Sequence, residues 1–173
     1  LLDAQDSIGV TGNRIDTTVG TVAAVSAGAS TAGDIFLNQT SGALSVGTAT
    51  GLDGRANLSG IATSANNNDI TLVSAGAVTV TQNVTAHGSG NVALKTTGTN
   101  DVNIDGATVS STSGNLQVIS GQHILTNTNT GTTTEFSTTG SLLLDAQDSI
   151  GVTAKRLDTT VGTDRKSTRL NSS

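Results

Sequence analysis

The stretch LLDAQDSIGVTGNRIDTTVGT, residues 1–21, recurs almost unchanged as LLDAQDSIGVTAKRLDTTVGT at residues 143–163. The two copies are identical at 18 of 21 positions. They differ only at Gly12/Ala154, Asn13/Lys155 and Ile15/Leu157. Self-similarity at a fixed spacing is typical of repeat proteins, in which each unit packs on its neighbours. The chain therefore covers one long repeat and enters the next.

A finer repeat consists of short apolar pairs separated by one residue. These pairs are Ile8/Val10, Ile35/Leu37, Leu44/Val46, Ile70/Leu72, Val78/Val80, Val92/Leu94, Val102/Ile104, Leu116/Val118, Leu142/Leu144 and Ile150/Val152. Alternation with a period of two predicts strands that bury one face and expose the other. Helical spacing is not sustained anywhere, and the abundant Thr and Gly residues would weaken a helix.

The pairs form two interleaved series that advance by a nearly constant step. One series is Leu44, Ile70, Val92, Leu116 and Leu142; the other is Val78, Val102, Ile124 and Ile150. A step of roughly 22–26 residues is the length of one coil of a β-solenoid with two or three short strands. The sequence therefore predicts an all-β, parallel β-helix over residues 1–163, with about seven such coils. Six whole coils between the two long copies would return the repeat in the same rotational phase.

An antiparallel sandwich or barrel is the alternative fold. It would need tight hairpin turns between neighbouring strands, and only Asp53-Gly54 and Asp105-Gly106 have the required dipeptide. Two such turns are too few for a dozen strands. The run Asn66-Asn67-Asn68 predicts a loop that bulges from one coil.

The composition narrows the class of protein further. The chain has no Cys, Pro, Met, Trp or Tyr, and only 12% of its residues are charged. Low charge and regular aliphatic residues argue against disorder. The absence of Cys excludes disulfides and thiolate metal sites. The net charge of −5 argues against a nucleic-acid partner, which usually meets a basic surface.

The last part of the chain, 164–173, abandons the repeat pattern. It reads DRKSTRLNSS, carries three of the eight basic residues, and resembles the translation of a sequencing-library adapter. We predict that this segment is a non-native, disordered tail outside the fold. Because the chain begins at Leu1 and has no Met, we also expect it to be an internal piece of a longer protein.

Few residues suggest chemistry. His87 and His123 lie in different predicted coils and are expected to be exposed. The duplicated Asp-Ala-Gln-Asp provides four acidic side chains, which we interpret as solvated turn residues, with a surface calcium site as the alternative. These are Asp3, Asp6, Asp145 and Asp148.

A catalytic site is not predicted. The basic residues before the tail are scattered, and no Trp or Tyr offers a platform for a sugar. These residues are Arg14, Arg55, Lys95, Lys155 and Arg156. The glycan-acceptor patterns at Asn38, Asn57 and Asn83 are expected by chance in a chain so rich in Ser and Thr. We therefore predict no catalytic, cofactor-binding or metal-binding residues, and no enzymatic activity.

The chain resembles repeats of the large filamentous-haemagglutinin-like exoproteins of Gram-negative bacteria in four stretches near its start, residues 6–10, 14–24, 33–39 and 44–48. Later stretches that also resemble them are DITLVSAG at 69–76, SGNVAL at 89–94 and SGNLQV at 113–118. The resemblance implies a right-handed parallel β-helix that is exported across both membranes and displayed as a fibre. It further implies an extracellular or cell-surface location, with outer-membrane association through parts that are not present here.

The leading functional hypothesis is a stalk segment of a secreted or surface-displayed adhesin. Its partners would be host-cell or surface glycans and proteins, bound through the full-length protein. The first alternative is a structural component of a surface layer or biofilm matrix. The second alternative is a carbohydrate-active β-helix enzyme, because the fold alone does not exclude catalysis.

Overall fold

The computed structural model describes residues 1–28, 33–128 and 133–168. These residues form twenty β-strands and no helix. The strands are β1 (Leu2–Ala4), β2 (Ile15–Thr17), β3 (Thr21–Val22), β4 (Ala24–Ser26), β5 (Ile35–Gln39), β6 (Leu44–Val46), β7 (Thr48–Ala49), β8 (Leu58–Ser59), β9 (Ile61–Asn66), β10 (Ile70–Ser74), β11 (Val78–Val80), β12 (Val84–His87), β13 (Val92–Thr96), β14 (Val102–Ile104), β15 (Val109–Ser111), β16 (Leu116–Ser120), β17 (His123–Thr126), β18 (Phe136–Ala146), β19 (Ser149–Ile150) and β20 (Thr159–Thr168).

The strands stack as a parallel β-solenoid of about seven turns, and each turn has three walls. Wall A contains β1, β4, β9, β12, β15 and the first parts of β18 and β20. Wall B contains β2, β5, β10, β13, β16 and the second parts of β18 and β20. Wall C contains β3, β6, β11, β14, β17 and β19. Parallel pairing along all three walls confirms the predicted solenoid and excludes the sandwich or barrel.

The core is a narrow column of aliphatic side chains that stack in register. On wall B, five fully buried residues follow one another from turn to turn: Ile35, Ile70, Val92, Leu116 and Leu142. Each such side chain contributes roughly 2 kcal/mol by leaving water. Because every turn buries only a few of them, stability depends on the repetition of the same contact along the axis.

The apolar pairs of the sequence do not predict wall A. Its inward residues include Ile61, Val84, Val109 and Phe136, all buried. In most of its strands the next inward position is Ala, Ser or Thr, so the hydrophobic alternation is short and weak. The two predicted series therefore correspond to two walls of a three-walled coil.

One predicted series is correct and the other contains an error. Val78, Val102, Ile124 and Ile150 stack along wall C as predicted. Leu44, however, stacks on Val78, and the residue that stacks on Ile70 is Ile35. The error arises because the spacing from Leu44 to Ile70 matches the length of an ordinary coil, although the two residues lie on different walls.

The second turn is longer than the predicted coil. Ala24 pairs with Ile61, whereas Val84 pairs with Val109, so the second turn is about half as long again as a regular one. The extra length includes β7 and β8, which form an antiparallel hairpin outside the walls. Asp53 and Gly54 at its tip have φ of +53° and +78°. Positive φ at both positions fits the turn that an Asp-Gly dipeptide favours, so this candidate hairpin is present.

The second candidate hairpin turn, Asp105-Gly106, and the predicted loop at 66–68 do not have the predicted structure. Asp105-Gly106 lies between β14 and β15, which occupy different walls, and it does not connect a hairpin. The register shift in β9 lies before the predicted loop at 66–68: the two extra residues relative to β12 fall between Ala62 and Asn66, which are both paired. Asn68 is fully buried, and its Oδ1 accepts a hydrogen bond from Gly33 N at 3.1 Å.

The corner between walls A and B depends on stacked glycines. A Cβ at Gly114 would lie 2.0 Å from the carbonyl oxygen of Gly90, and a Cβ at Gly140 would lie 2.4 Å from that of Gly114. The preceding inward residue supplies a hydroxyl that bonds to the same corner. Ser111 Oγ donates to Gly90 O at 2.6 Å, and Thr138 Oγ1 donates to Gly114 O at 2.6 Å. These hydroxyls satisfy carbonyls that the sharp bend would otherwise leave unpaired in the interior.

The two pairs Ile8/Val10 and Ile150/Val152 do not alternate as predicted. Ile8 is buried, but Val10 and Val152 are 55% and 49% exposed. Gly9 has φ of +74° and Gly151 has φ of +69°. This left-handed backbone turns the chain away from the wall after the first residue of each pair.

The terminal segment differs from the predicted disorder. Residues 164–168 continue β20 and pair with Leu142–Ala146 of β18, while 169–173 lie outside the described residues. The open edge of β18 offers backbone donors and acceptors that do not depend on the side chains of the next strand. That this segment is non-native stays a prediction.

Candidate functional site

A row of amide and carboxylate side chains runs along the solenoid where wall B begins. Asp34 Oδ1 accepts the backbone N–H of Asp69 at 2.8 Å, and Asp69 Oδ1 accepts that of Asn91 at 2.7 Å. Asn91 Oδ1 in turn accepts Asn115 N at 2.9 Å, and Asn115 Oδ1 accepts Ser141 N at 3.1 Å. Each side chain thus bonds to the next turn and supplements the sheet hydrogen bonds. A signal for this row is visible in the sequence, because each Asp or Asn directly precedes the apolar residue that starts a wall B strand.

A shallow groove of about 520 Å³ lies on the outer surface of wall B beside this row of Asp and Asn side chains, which we call the Asp/Asn ladder. Its lining includes Ala93, Gln117, Leu143 and Arg165. The lining residues include no carboxylate or imidazole. The groove therefore offers apolar contact and amide hydrogen bonds, but it has no pair of groups for acid–base catalysis.

The β7–β8 hairpin is the second distinctive feature of the surface. Leu52 near its tip is 79% exposed, more than any other large hydrophobic residue that the structure describes. Arg55, on the returning side, forms an exposed ion pair with Asp3 across 3.0 Å, so the hairpin contacts the first turn. Thr48 and Ser59 hydroxyls bond at 2.7 Å across its base. The hairpin therefore projects the apolar side chain of Leu52 into solvent.

His123 is part of a small polar cluster on wall C. Its Nδ1 lies 2.9 Å from Ser149 Oγ, and its Nε2 lies 3.9 Å from Asp148 Oδ2. Its backbone N–H donates to Asp101 Oδ1 at 3.0 Å. The Asp148 distance is too long for a hydrogen bond, so the arrangement lacks the firmly oriented base of a Ser–His–Asp site. The cluster joins one turn to the next.

The other predicted residues do not converge on a site. His87 is exposed at the end of β12 on wall A, on a different wall from His123. Within residues 1–28, 33–128 and 133–168, no group of three or more His, Cys, Asp or Glu side chains could hold a metal ion. The calcium alternative thus gains no ligand set in this part of the chain.

The duplicated aspartates have different surroundings in the two copies. Asp3 pairs with Arg55, whereas Asp145 in the second copy lies between Ile119 and Ser167 of the adjoining turns. Asp6 is exposed, and Asp148 lies near His123. Their recurrence therefore reflects the sequence repeat and does not create one recurring site.

The remaining basic and amide residues are dispersed. Arg14, Lys95 and Arg156 are exposed, while Lys155 is half-buried in a turn. The three asparagines of the glycan-acceptor patterns have structural partners. Asn38 Nδ2 donates to Asp16 at 2.7 Å, Asn57 Oδ1 accepts Gly51 N at 3.1 Å, and Asn83 Oδ1 accepts Thr108 N at 2.9 Å.

The fold and surface define the chain as a β-solenoid repeat segment. Within the part of the chain described here, no helix has the length and apolar character that crossing a bilayer requires. No protein-family model matches the chain, and neither the curated proteins nor the solved structures contain a significant match to it.

Proposed function

We propose that this chain is a stalk segment of a secreted or surface-displayed bacterial adhesin. Its role is mechanical: stacked turns hold a binding region at a distance from the cell. The resemblance to filamentous-haemagglutinin-like exoproteins suggests this role. The stacking geometry supports it independently, because a solenoid grows only along its axis as turns are added.

The observation that carries the proposal is the constant register along wall B from Ile35 to Leu142. Turn after turn, Ile70, Val92, Leu116 and Leu142 stand directly above one another, and Asp69, Asn91 and Asn115 bond along the same edge. Adjacent strands are about 4.8 Å apart, so seven turns measure roughly 30 Å along the axis. Many such repeats would form a long, stiff fibre of constant width.

A series of chains with one, two and three copies of residues 1–142 before the complete sequence tests this role. Small-angle X-ray scattering should show a maximum dimension that grows by about 25 Å per copy, while the cross-section stays constant. The same series can be anchored to a bacterial outer membrane with a peptide tag at the far end. Binding of antibody-coated beads to the tag should increase with each added copy, because the tag lies further from the membrane. A composition-matched scrambled segment is the control.

Three outcomes would count against the stalk. Growth in cross-section without growth in length would show that copies do not stack end to end. Lateral association into sheets would replace the stalk with the surface-layer or matrix alternative. Cleavage of a polysaccharide by the purified chain would replace it with the enzyme alternative.

A further inference from the structure

The two long copies share a turn length and a small glycine turn, although Ile15–Thr17 stays on the wall of Ile8 whereas Thr159 lies on a different wall from Ile150. Leu2 pairs with Ala24 and Leu144 pairs with Lys166, so both copies close their own turn at the same spacing. In both copies a glycine with positive φ precedes a small antiparallel bridge. The bridges are Val10–Asn13 and Val152–Lys155.

The two copies nevertheless occupy different walls. Leu2 lies on wall A in the first turn, and Leu144 lies on wall B in the sixth. The offset between the copies therefore spans five turns and one additional wall, and the predicted six whole turns are wrong. The second turn accounts for the difference, because it runs from Ala24 to Ile61 and is much longer than the others.

The second copy shows which strands this repeated sequence pairs with when another turn precedes it. It is seated on β16 and β17: Leu144 pairs with Val118, and Ile150 pairs with Ile124. Gly151 N donates to Ile124 O at 2.8 Å, and Ser149 Oγ bonds to His123 Nδ1 at 2.9 Å. In the first copy, no strand among the described residues precedes the corresponding edge of the solenoid.

We propose that the edge formed by Leu1–Ile8 is a docking surface for β16 and β17 of a second copy of this repeat. Ser7 would take the place of Ser149 against His123, and Leu2 would take that of Leu144 against Val118. Each junction then rotates the next repeat by one wall, a third of a turn. The protruding hairpins that carry Leu52 wind around the fibre and face the same direction again after three repeats.

This inference rests on the stalk proposal for one point, that repeats stack end to end. The rotation between repeats is an additional claim, which can be wrong even if the stalk proposal is correct. The test uses a tandem chain, in which residues 1–142 precede the complete sequence. Native cysteine is absent from the sequence, so introduced cysteines report unambiguously.

Disulfide formation tests the docking surface. Ile119→Cys in the first copy and Asp3→Cys in the second should crosslink, because their counterparts Ile119 and Asp145 are register partners here. Their expected Cα separation of about 4.8 Å suits a disulfide. Lys95→Cys with the same Asp3→Cys is the control, since Lys95 lies one turn further away. Absence of the first crosslink, or equal yields from both pairs, would overturn the docking surface.

Spin labels at Leu52→Cys in both copies test the rotation. Leu52 is largely exposed, so labelling should leave the core intact. The two labels are separated by about 25 Å along the axis. A rotation of one wall also moves them apart sideways, so the mean distance between the labels should be well above about 25 Å. A mean distance of about 25 to 30 Å would match whole turns in phase and overturn the rotation. If scattering shows a longer rod while this distance stays short, the stalk is kept and the rotation is rejected.

Discussion

Residues 1–21 and 143–163 are nearly the same sequence in two different surroundings. Ile15 in the first copy is 40% exposed, whereas Leu157 at the same position of the second copy is 8% exposed. Leu2 is half-buried and Leu144 is fully buried. The glycine turns and the small bridges are alike in both copies. The glycine turns thus follow the sequence, while Leu144 is more buried than Leu2 because it has a paired strand on both sides and Leu2 has one on one side only.

The largest expected difference between the copies concerns their leucines. Leu144→Ala should lower the free energy of unfolding by about 3 to 4 kcal/mol, because it leaves a cavity between two packed turns. Leu2→Ala should lower it by less than about 1 kcal/mol, because Leu2 has a turn on one side only. Urea unfolding followed by circular dichroism measures both. Equal losses would mean that the first turn is as well packed as the sixth.

The tandem chain allows Leu2→Ala and Leu144→Ala to be compared when a turn precedes both leucines. If the docking surface is correct, Leu2→Ala in its second copy should be as costly as Leu144→Ala. A loss that stays below about 1 kcal/mol there would show that the junction leaves Leu2 unpacked.

Much of the fold could be predicted from the sequence because one physical rule repeats. An apolar residue at every second position, returning after each coil, indicates stacked parallel strands, and Asp53-Gly54 marks a hairpin through its backbone preferences alone. The number of turns between the copies could not be predicted, because spacing alone does not reveal that residues leave the wall. The prediction places Leu44 on the wrong wall for that reason.

The surface was harder to predict than the core. The Asp69–Asn91–Asn115 ladder has a visible signal in its spacing, yet its meaning requires knowledge of which residues are neighbours. The His123–Ser149 contact joins residues on successive turns and depends on the register of wall C. Polar contacts between turns follow from the register, which short-range patterns do not specify.

A smaller difference is expected from the glycines of the two turns. Gly9→Ala should cost about 2 to 3 kcal/mol and Gly151→Ala about 1 to 2 kcal/mol. Both alanines would adopt an unfavourable positive φ. At Gly9 the new Cβ would also lie 2.6 Å from the carbonyl oxygen of Phe36, whereas at Gly151 the nearest atom is 3.4 Å away. Urea unfolding of both variants checks the order, and a larger loss at Gly151 would contradict it.

The smallest expected effect tests the terminal segment, where the repeat is interrupted. The spacing of the two copies places Asp164 at the position of Val22 and Lys166 at that of Ala24, both buried in the first copy. In β20 these residues pair with Leu142 and Leu144, so two charges continue a column of aliphatic side chains. They form an ion pair of 3.1 Å that is partly exposed, and such pairs contribute little.

The double substitution Asp164→Val with Lys166→Ala should therefore raise the free energy of unfolding by about 0.5 to 1 kcal/mol. The control is Arg165→Ala with Ser167→Ala, which changes the alternate positions of the same strand and should have no stabilising effect. Restoring the repeat residues also removes charges that protect an open strand edge, so self-association in analytical ultracentrifugation should increase. A loss of stability would mean that the ion pair closes the end of the core better than aliphatic residues do, and that this segment belongs to the fold.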